Sequence, residues 1–346
     1  MNISDFDFNS EKTFIIGELS ANHNGSLDVA LKTIRALKDI GADAVKIQTY
    51  TPDTITLDCN NSYFRITQGT IWDGTTLHQL YQTAFTPWEW HSQIFEVAKE
   101  QGLICFSSPF DKTAVDFLEE LDVPAYKIAS FEITDTNLIE YAASKGKPMI
   151  ISTGIATIGE IQEAVNICKR VGNEQIILLK CTSVYPSPKE SINLRTIPNL
   201  KETFNVISGL SDHTLGISIP IAAVALGARV IEKHVILDKS IGGPDSSFSL
   251  EISEFKQMVD SIREVEKAMG TVSYDLDLKS LKSREHVRSL FFAQDMERGE
   301  VINEENVRSV RPGFGLEPKY FNDILGKKIV KAVKKGTPVA WKLVEL

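Results

Sequence analysis

The chain has 346 residues, 42% hydrophobic and 24% charged, the balance of a soluble globular protein with one large domain or a large and a small one. A net charge of -9 excludes a general nucleic-acid binder, which needs a basic face, but leaves room for a local positive pocket around a small anion. No apolar stretch approaches the length of a membrane span, and the acidic, polar start "MNISDFDFNSEK" has neither the basic nor the apolar region of a signal peptide.

From residue 14 onward, short runs rich in Ile and Val alternate with stretches at helical spacing. The runs are "FIIGELS" (14–20), "AVKIQTY" (44–50), "LICFSSPF" (103–110), "AYKIAS" (125–130), "PMIISTG" (148–154), "IILLKCTS" (176–183), "NVISGLSD" (205–212) and "ARVIEKHVIL" (228–237). After the first comes "SLDVALKTIRALKDI", with apolar residues at i, i+3, i+4 and i+7, Ser26 as N-cap and Gly41 as stop. Continuous apolar strands alternating with helices predict a parallel sheet covered on both faces. Eight such units predict an α/β fold, a (β/α)8 TIM barrel over residues 1–270. A doubly wound open sheet is the rival, weakened because no GxGxxG follows any early strand. The segment 51–85 is long for a strand-to-helix loop, and such loops usually serve a site.

After the eighth helix, "SEFKQMVDSIREVEKAMG", the pattern changes. Residues 271–286 read as a polar, irregular linker. Residues 287–346 carry the strand-like pieces "RSLFFAQDM", "NVRSVRPGFG" and "TPVAWKLVEL", a small β-rich module too short for a rich core of its own and expected to dock on something. The four cysteines (Cys59, Cys105, Cys168, Cys181) form no CxxC and no zinc-type cluster. Cys105 and Cys181 lie in apolar runs and read as reduced core residues, which predicts a cytoplasmic protein.

Each strand-like run ends in polar residues, and in this kind of barrel those ends build the active site on one rim. Lysines lie inside several of these apolar runs, among them Lys46, Lys127 and Lys180. A half-buried lysine is costly without an anion, so these either pair with structural acids or line a pocket for a phosphorylated, carboxylated substrate. Ser152-Thr153-Gly154 offers hydroxyls and close backbone approach to phosphate oxygens. "GLSDHTLG" and "VIEKHVIL" place His213 and His234 at the ends of the seventh and eighth strands. They are either hydrogen-bonded fold residues or two imidazole ligands of a divalent ion with positions left open for water and substrate. Asp212 and Glu232 would then hold ligand water or fix the rings.

"ELSANHNGSLDVALKTIRALKDIGADAVKIQTY", "CFSSPF", "AYKIAS", "ISTGIAT", "KCTSVYPSP", "GLSDHTLG", "ALGARVIEKHVILD" and "VRPGFG" resemble the sialic acid synthase family over nearly the whole chain and in family order. The tail resembles the family's antifreeze-like (SAF) domain. "ELSANHNG" and "KIQTYTPD" resemble most the subgroup that forms pseudaminic acid from 2,4-diacetamido-2,4,6-trideoxy-L-altrose, with N-acetylneuraminic and legionaminic acid formation as alternatives. The resemblance implies condensation of phosphoenolpyruvate with an open-chain amino sugar, releasing phosphate. It implies a divalent metal, manganese first and cobalt or magnesium otherwise, on His213 and His234. It places Lys46, Ser108, Lys127, Ser130, Ser152, Ser183 and Ser211 on phosphoenolpyruvate, and Glu18, Gln48, Tyr185 and Asp245 around the sugar. Glu18 becomes the candidate for proton transfer, as acid or base. Arg311 of the tail is implied to reach an N-acyl group across a domain-exchanged homodimer. Ser108 stands where the neuraminic pattern can carry Thr, and Ser183 where it can carry Asn. Two rival readings stay open: a pyruvate-dependent metal aldolase, and a scaffold with a tail that binds ice or carbohydrate.

Overall fold

The structure, a computed structural model, describes residues 1–67 and 69–345. It comprises two compact units, Met1–Gly270 and Thr271–Leu346.

The first unit is built on eight parallel strands: β1 Phe14–Glu18, β2 Ala44–Thr49, β3 Ile104–Pro109, β4 Tyr126–Ile128, β5 Met149–Ser152, β6 Ile176–Cys181, β7 Ile207–Asp212 and β8 Val230–Ile236. Each pairs with the next, and β8 pairs with both β7 and β1, so the sheet closes and the open-sheet rival is excluded. The helices that follow the strands are α1 Leu27–Asp39, α2 Trp88–Glu100, α3 Lys112–Glu120, α4 Thr136–Ala143, α5 Ile158–Arg170, α6 Thr196–Phe204, α7 Ser218–Ala225 and α8 Ile252–Met269. Helix α1 starts where Ser26 Oγ accepts from the Val29 amide and is followed by Gly41 at φ +83°. It presses closely on β1, because a Cβ at Gly17 would lie 2.6 Å from a Leu37 methyl.

Strand alternation sorts the side chains. Ile15, Val45, Ile47, Ile231 and Val235 pack outward against the helices. Phe14, Ile16, Ala44, Phe106, Ala125, Ile150, Leu179 and Val230 fill the interior. The polar start of the chain turns out to carry the plug of this interior. A hairpin pairing Asn2–Ile3 with Phe6–Asp7 sends Ile3, Phe6 and Phe8 into the same cluster, with Phe6 4.6 Å from Phe14 between ring centroids. Two residues beyond Ile16, Ala44, Phe106, Ala125, Ile150 and Val230, the inward rows reach Glu18, Lys46, Ser108, Lys127, Ser152 and Glu232. The barrel is therefore hydrocarbon at one end and polar at the strand C-termini.

In the second unit, β9 Ser289–Phe292 pairs antiparallel with β10 Val307–Val310. Contrary to expectation, this unit has a core of its own, including Leu290, Phe292, Met296, Ile302, Val307, Ile324, Ile329 and Val339. Bridges between distant segments, such as Phe291 with Pro338 and Ile329 with Val344, gather it. The last strand-like piece instead forms a short 3-10 turn at Trp341–Leu343, and its final residue, 346, lies outside the described residues. The segment read as an irregular linker holds a helix, Leu278–Ser283, because Asp277 accepts from the Ser280 amide as an N-cap. Among the described residues, no helix is long and apolar enough to cross a membrane.

Candidate active site

The polar end of the barrel is organised around two buried lysines and two buried carboxylates. Lys46 Nζ lies 3.0 Å from Glu18 Oε2 and 3.6 Å from Glu232 Oε1, and it donates to Ser108 Oγ at 3.3 Å. Lys127 Nζ donates to Ser152 Oγ at 2.7 Å and to the Ile128 carbonyl at 3.1 Å, and lies 3.9 Å from Glu232 Oε1. Ser211 donates to the same Glu232 oxygen at 3.0 Å. Gln48 Nε2 donates to Glu18 Oε1 and to Ser20 Oγ, both at 3.0 Å.

The two carboxylates differ in character. Burial opposes ionisation of Glu232, but Lys127 and Lys46 outweigh it and hold the group below the usual carboxylate range. Burial lifts Glu18 to about 7, with Lys46 opposing the rise and the charge on Glu232 adding to it. Glu232 is thus the fixed counter-ion of the lysines, and Glu18 is the group that exchanges a proton near neutrality. Burial also draws Lys127 below its ordinary value, with Glu232 only partly compensating.

Beside the lysines lies a cradle of hydroxyls. Ser183 Oγ donates to Ser130 Oγ at 2.7 Å, and a Cβ at Gly154 would stand 2.3 Å from the first and 2.6 Å from the second. Glycine at 154 therefore leaves those hydroxyls free to serve a ligand. An anion there would meet lysine charge and several O–H donors while shielded from water, the setting in which such interactions are strongest.

The two histidines meet. Their ring centroids are 5.3 Å apart, with Phe248 5.0 Å from His234 and Tyr185 4.4 Å from His213. His213 Nδ1 donates to the Thr182 carbonyl at 3.2 Å, which leaves Nε2 as a lone-pair donor. His234 Nδ1 is buried without a hydrogen-bond partner, 3.8 Å from Asp245 Oδ2. Burial first, then His213 and Lys46, hold His234 well below its ordinary value, in the neutral form that ligates metals. Burial opposes protonation of His213, but the Cys181 sulfur outweighs it and draws the ring upward; a cation at Nε2 would reverse that preference. An orphaned buried nitrogen and a fixed tautomer on adjacent strands fit a divalent ion. Among the described residues no three His, Cys, Asp or Glu side chains gather around one point, so such an ion would draw its remaining ligands from water and substrate.

On the sugar side, Tyr185 stands between Trp72 at 5.7 Å and Phe248 at 5.3 Å. Trp72 Nε1 donates to the Pro244 carbonyl at 3.1 Å, which ties the long loop to the residue before Asp245. Of the loop aromatics, Trp72 reaches this wall, whereas Tyr63 is exposed.

The predicted barrel residues Glu18, Lys46, Gln48, Ser108, Lys127, Ser130, Ser152, Ser183, Tyr185, Ser211, His213, His234 and Asp245 thus lie on one rim. Arg311 belongs to the second unit and is exposed there on a turn braced by Ser289, whose Oγ donates to the Pro312 carbonyl at 2.7 Å. Two expectations need correction. Lys180 shares the outward row of Ile176 and Leu178, and its Nζ donates to Thr182 Oγ1 at 3.3 Å rather than joining the carboxylates. Asp212 and Glu232 do not hold the imidazoles directly, since Glu232 serves the lysines and Asp212 faces Lys233. Cys181 is free and buried as expected, and its sulfur also lies 3.7 Å from Ser183 Oγ and 3.9 Å from His213 Nδ1. The strand-end pattern does not single out Glu132, whose Oε2 is buried without a hydrogen-bond partner and whose carboxyl burial lifts to about 7. An acid two residues after Ser130 was the available signal.

Residues 33–274 match the NeuB family and residues 287–345 the SAF domain. The chain is 54% identical over 331 residues to a pseudaminic acid synthase of Campylobacter jejuni, covering 95% of this chain and 96% of that one. It is 49% identical to a pseudaminic acid synthase of Helicobacter pylori, covering 94% and 96%. Among solved structures it resembles the N-acetylneuraminic acid synthetase of Leptospira borgpetersenii at TM-score 0.70 and 32% identity, covering 79% of this chain and 90% of that one. With the barrel, its polar rim and the tail all accounted for, the chain belongs to the NeuB family.

Proposed function

We propose that this protein is a transferase that condenses phosphoenolpyruvate with open-chain 2,4-diacetamido-2,4,6-trideoxy-L-altrose, giving pseudaminic acid and phosphate. The observation that carries the reading is the pair Lys46 and Lys127, buried beside a cradle of hydroxyls and next to paired imidazoles. Relatives that bear the corresponding name, at 54% and 49% identity, support the choice of sugar.

Lys46 and Lys127 neutralise the phosphate and carboxylate, Ser108, Ser130 and Ser152 donate to their oxygens, and Ser183 and Ser211 turn their hydroxyls from Ser130 and Glu232 to the anion as it binds. The enol is thereby held with C3 toward the aldehyde carbon, and this proximity lowers the barrier. His213 and His234 would hold a divalent ion, manganese first, which would supply Lewis-acid polarisation of the aldehyde. The new bond joins C3 to the aldehyde carbon, water adds at C2, and the C2–O bond to phosphate breaks, one proton of the water leaving on phosphate and the other passing to solvent, from which Glu18 is reprotonated. Glu18 delivers a proton to the oxygen that becomes the new hydroxyl. It suits this role because a bound anion at the lysines raises a carboxyl already near 7 still further. Gln48 orients Glu18 through its Nε2 donor. The free cysteines fit a reducing compartment, the cytoplasm.

The test is phosphate release with a panel of amino sugars. The expected kcat/KM is at least tenfold higher for the diacetamido-trideoxy altrose than for N-acetylmannosamine, the scale on which apolar contacts discriminate. Trp72→Ala should narrow that ratio, because Trp72 and Tyr185 form the apolar wall for the deoxygenated end. A preference for N-acetylmannosamine would overturn the choice of sugar. Turnover with pyruvate and no phosphate release would favour an aldolase, and no turnover in excess metal a scaffold.

The tail completes the site in an exchanged homodimer. Phe131, Ile155, Ile158, Val184 and Leu215 are exposed beyond the strand ends of the barrel, and Val272, Tyr274 and Leu278 in the segment before β9. Apolar surface of this kind calls for a partner, and a second copy would also bring an Arg311 whose planar fork suits an N-acyl carbonyl. Co-expression of His234→Ala and Arg311→Ala chains is expected to restore roughly a quarter of wild-type activity. Random pairing makes about half the dimers mixed, each with one intact site. No recovery in proven mixed dimers would refute the exchange.

A further inference from the structure

His213 and His234 lie just where the ladder between their strands ends. The β7–β8 register runs through Leu210 with Ile231, Ser211 with Glu232, and Asp212 with Lys233. His234 is paired on its other side with Glu18 of β1, but nothing in that register continues to His213. Side chains take over at this point. The Lys233 and Asp212 side chains are both 0% exposed, and Lys233 Nζ donates to Asp212 Oδ2 and, at 2.6 Å, to the Thr214 carbonyl. Asp212 accepts from the Thr214 amide at 3.1 Å and from Thr214 Oγ1 at 3.0 Å. The residues on both sides of His213 are thus tied to the residue beside His234.

Resting on the metal reading above, we propose that Asp212, Lys233 and Thr214 form a clamp that sets the separation of the two imidazoles for the divalent ion. They are positioning residues, since they face away from the pocket and would touch neither ion nor substrate. Stability alone is a weak reason for such a pair. Burying two charges is costly, and replacing both partners by apolar side chains is often neutral. What apolar contacts cannot reproduce is the directional hold on the Thr214 carbonyl, amide and hydroxyl.

The experiment titrates Mn²⁺ into the full-length protein without substrate and reads free Mn²⁺ by electron paramagnetic resonance, beside a thermal melt. The parent is expected to bind Mn²⁺, and His213→Ala to lose that binding. The double variant Asp212→Leu/Lys233→Met leaves no lone buried charge. It is expected to melt within a few degrees of the parent yet bind Mn²⁺ about 10- to 100-fold more weakly, as when groups that orient a ligand are removed. Thr214→Val removes one hydrogen bond and leaves the ion pair intact, and should weaken binding about fivefold, so the idea stays testable if the double variant fails to fold. A folded double variant with parental Mn²⁺ affinity, or an unchanged Thr214→Val where the double variant does not fold, overturns the clamp and leaves the metal site standing. A parent that binds no Mn²⁺ overturns the metal site and the clamp together.

Discussion

Alanine at His213 or at His234 is expected to lower kcat/KM by about three orders of magnitude or more, because either change removes half of the protein's share of the metal coordination. Lewis-acid polarisation is worth several kcal/mol, and about 1.4 kcal/mol corresponds to a factor of ten. The fold should survive, since both rings stand at the polar rim, beyond the apolar rows that fill the barrel. Circular dichroism and melting of the variants should therefore match the parent while phosphate release collapses. In the parent, a chelator should abolish turnover and Mn²⁺ or Co²⁺ restore it. Full activity of either variant in chelator would remove the metal from the mechanism.

A loss of about two to four orders of magnitude in kcat is expected for Glu18→Gln, the range of general acid–base catalysis. Glutamine keeps the shape and its amide oxygen can still accept from Lys46, but it carries no exchangeable carboxyl proton. The pH profile supplies the sharper test. Burial raises Glu18 to about 7, so the carboxyl is protonated below that pH and ionised above it. An acid catalyst loses its proton as pH rises, so kcat/KM should fall through about pH 7. The fall in kcat should come at higher pH, because the bound anion further disfavours the carboxylate. Glu18→Gln should abolish this limb along with most of the rate. A profile that instead rises through pH 7 would assign Glu18 to deprotonating the attacking water.

Much of this could be read from the chain because strand and helix periods are local properties. Eight apolar runs separated by amphipathic segments required a sheet covered on both faces, and the polar residues that end those runs had to share a rim once the strands were parallel. Ser26 and Gly41 marked the ends of α1 through side-chain and backbone preferences that need no tertiary partner. The motifs shared with the NeuB family named the residues of that rim and the tail that follows it.

Tertiary structure decided whatever depends on which of two strand faces a side chain takes and on what lies opposite. Lys127 and Lys180 both sit near the ends of apolar runs, yet Lys127 follows the inward row of Ala125 and reaches Ser152, whereas Lys180 follows the outward row of Leu178. Asp212 and Glu232 each stand next to or near a histidine in sequence, but only the barrel's closure shows that Glu232 belongs to the lysines and Asp212 to Lys233. The "MNISDFDFNSEK" start looked polar because its aromatic residues are spaced among acids. Its hairpin gathers Ile3, Phe6 and Phe8 on one side to close the barrel. Composition and spacing thus determined the barrel, its rim and its small β-rich tail. Pairing across the closed sheet determined the charge partners, because burial makes a lysine or carboxylate depend on contacts far away in the chain.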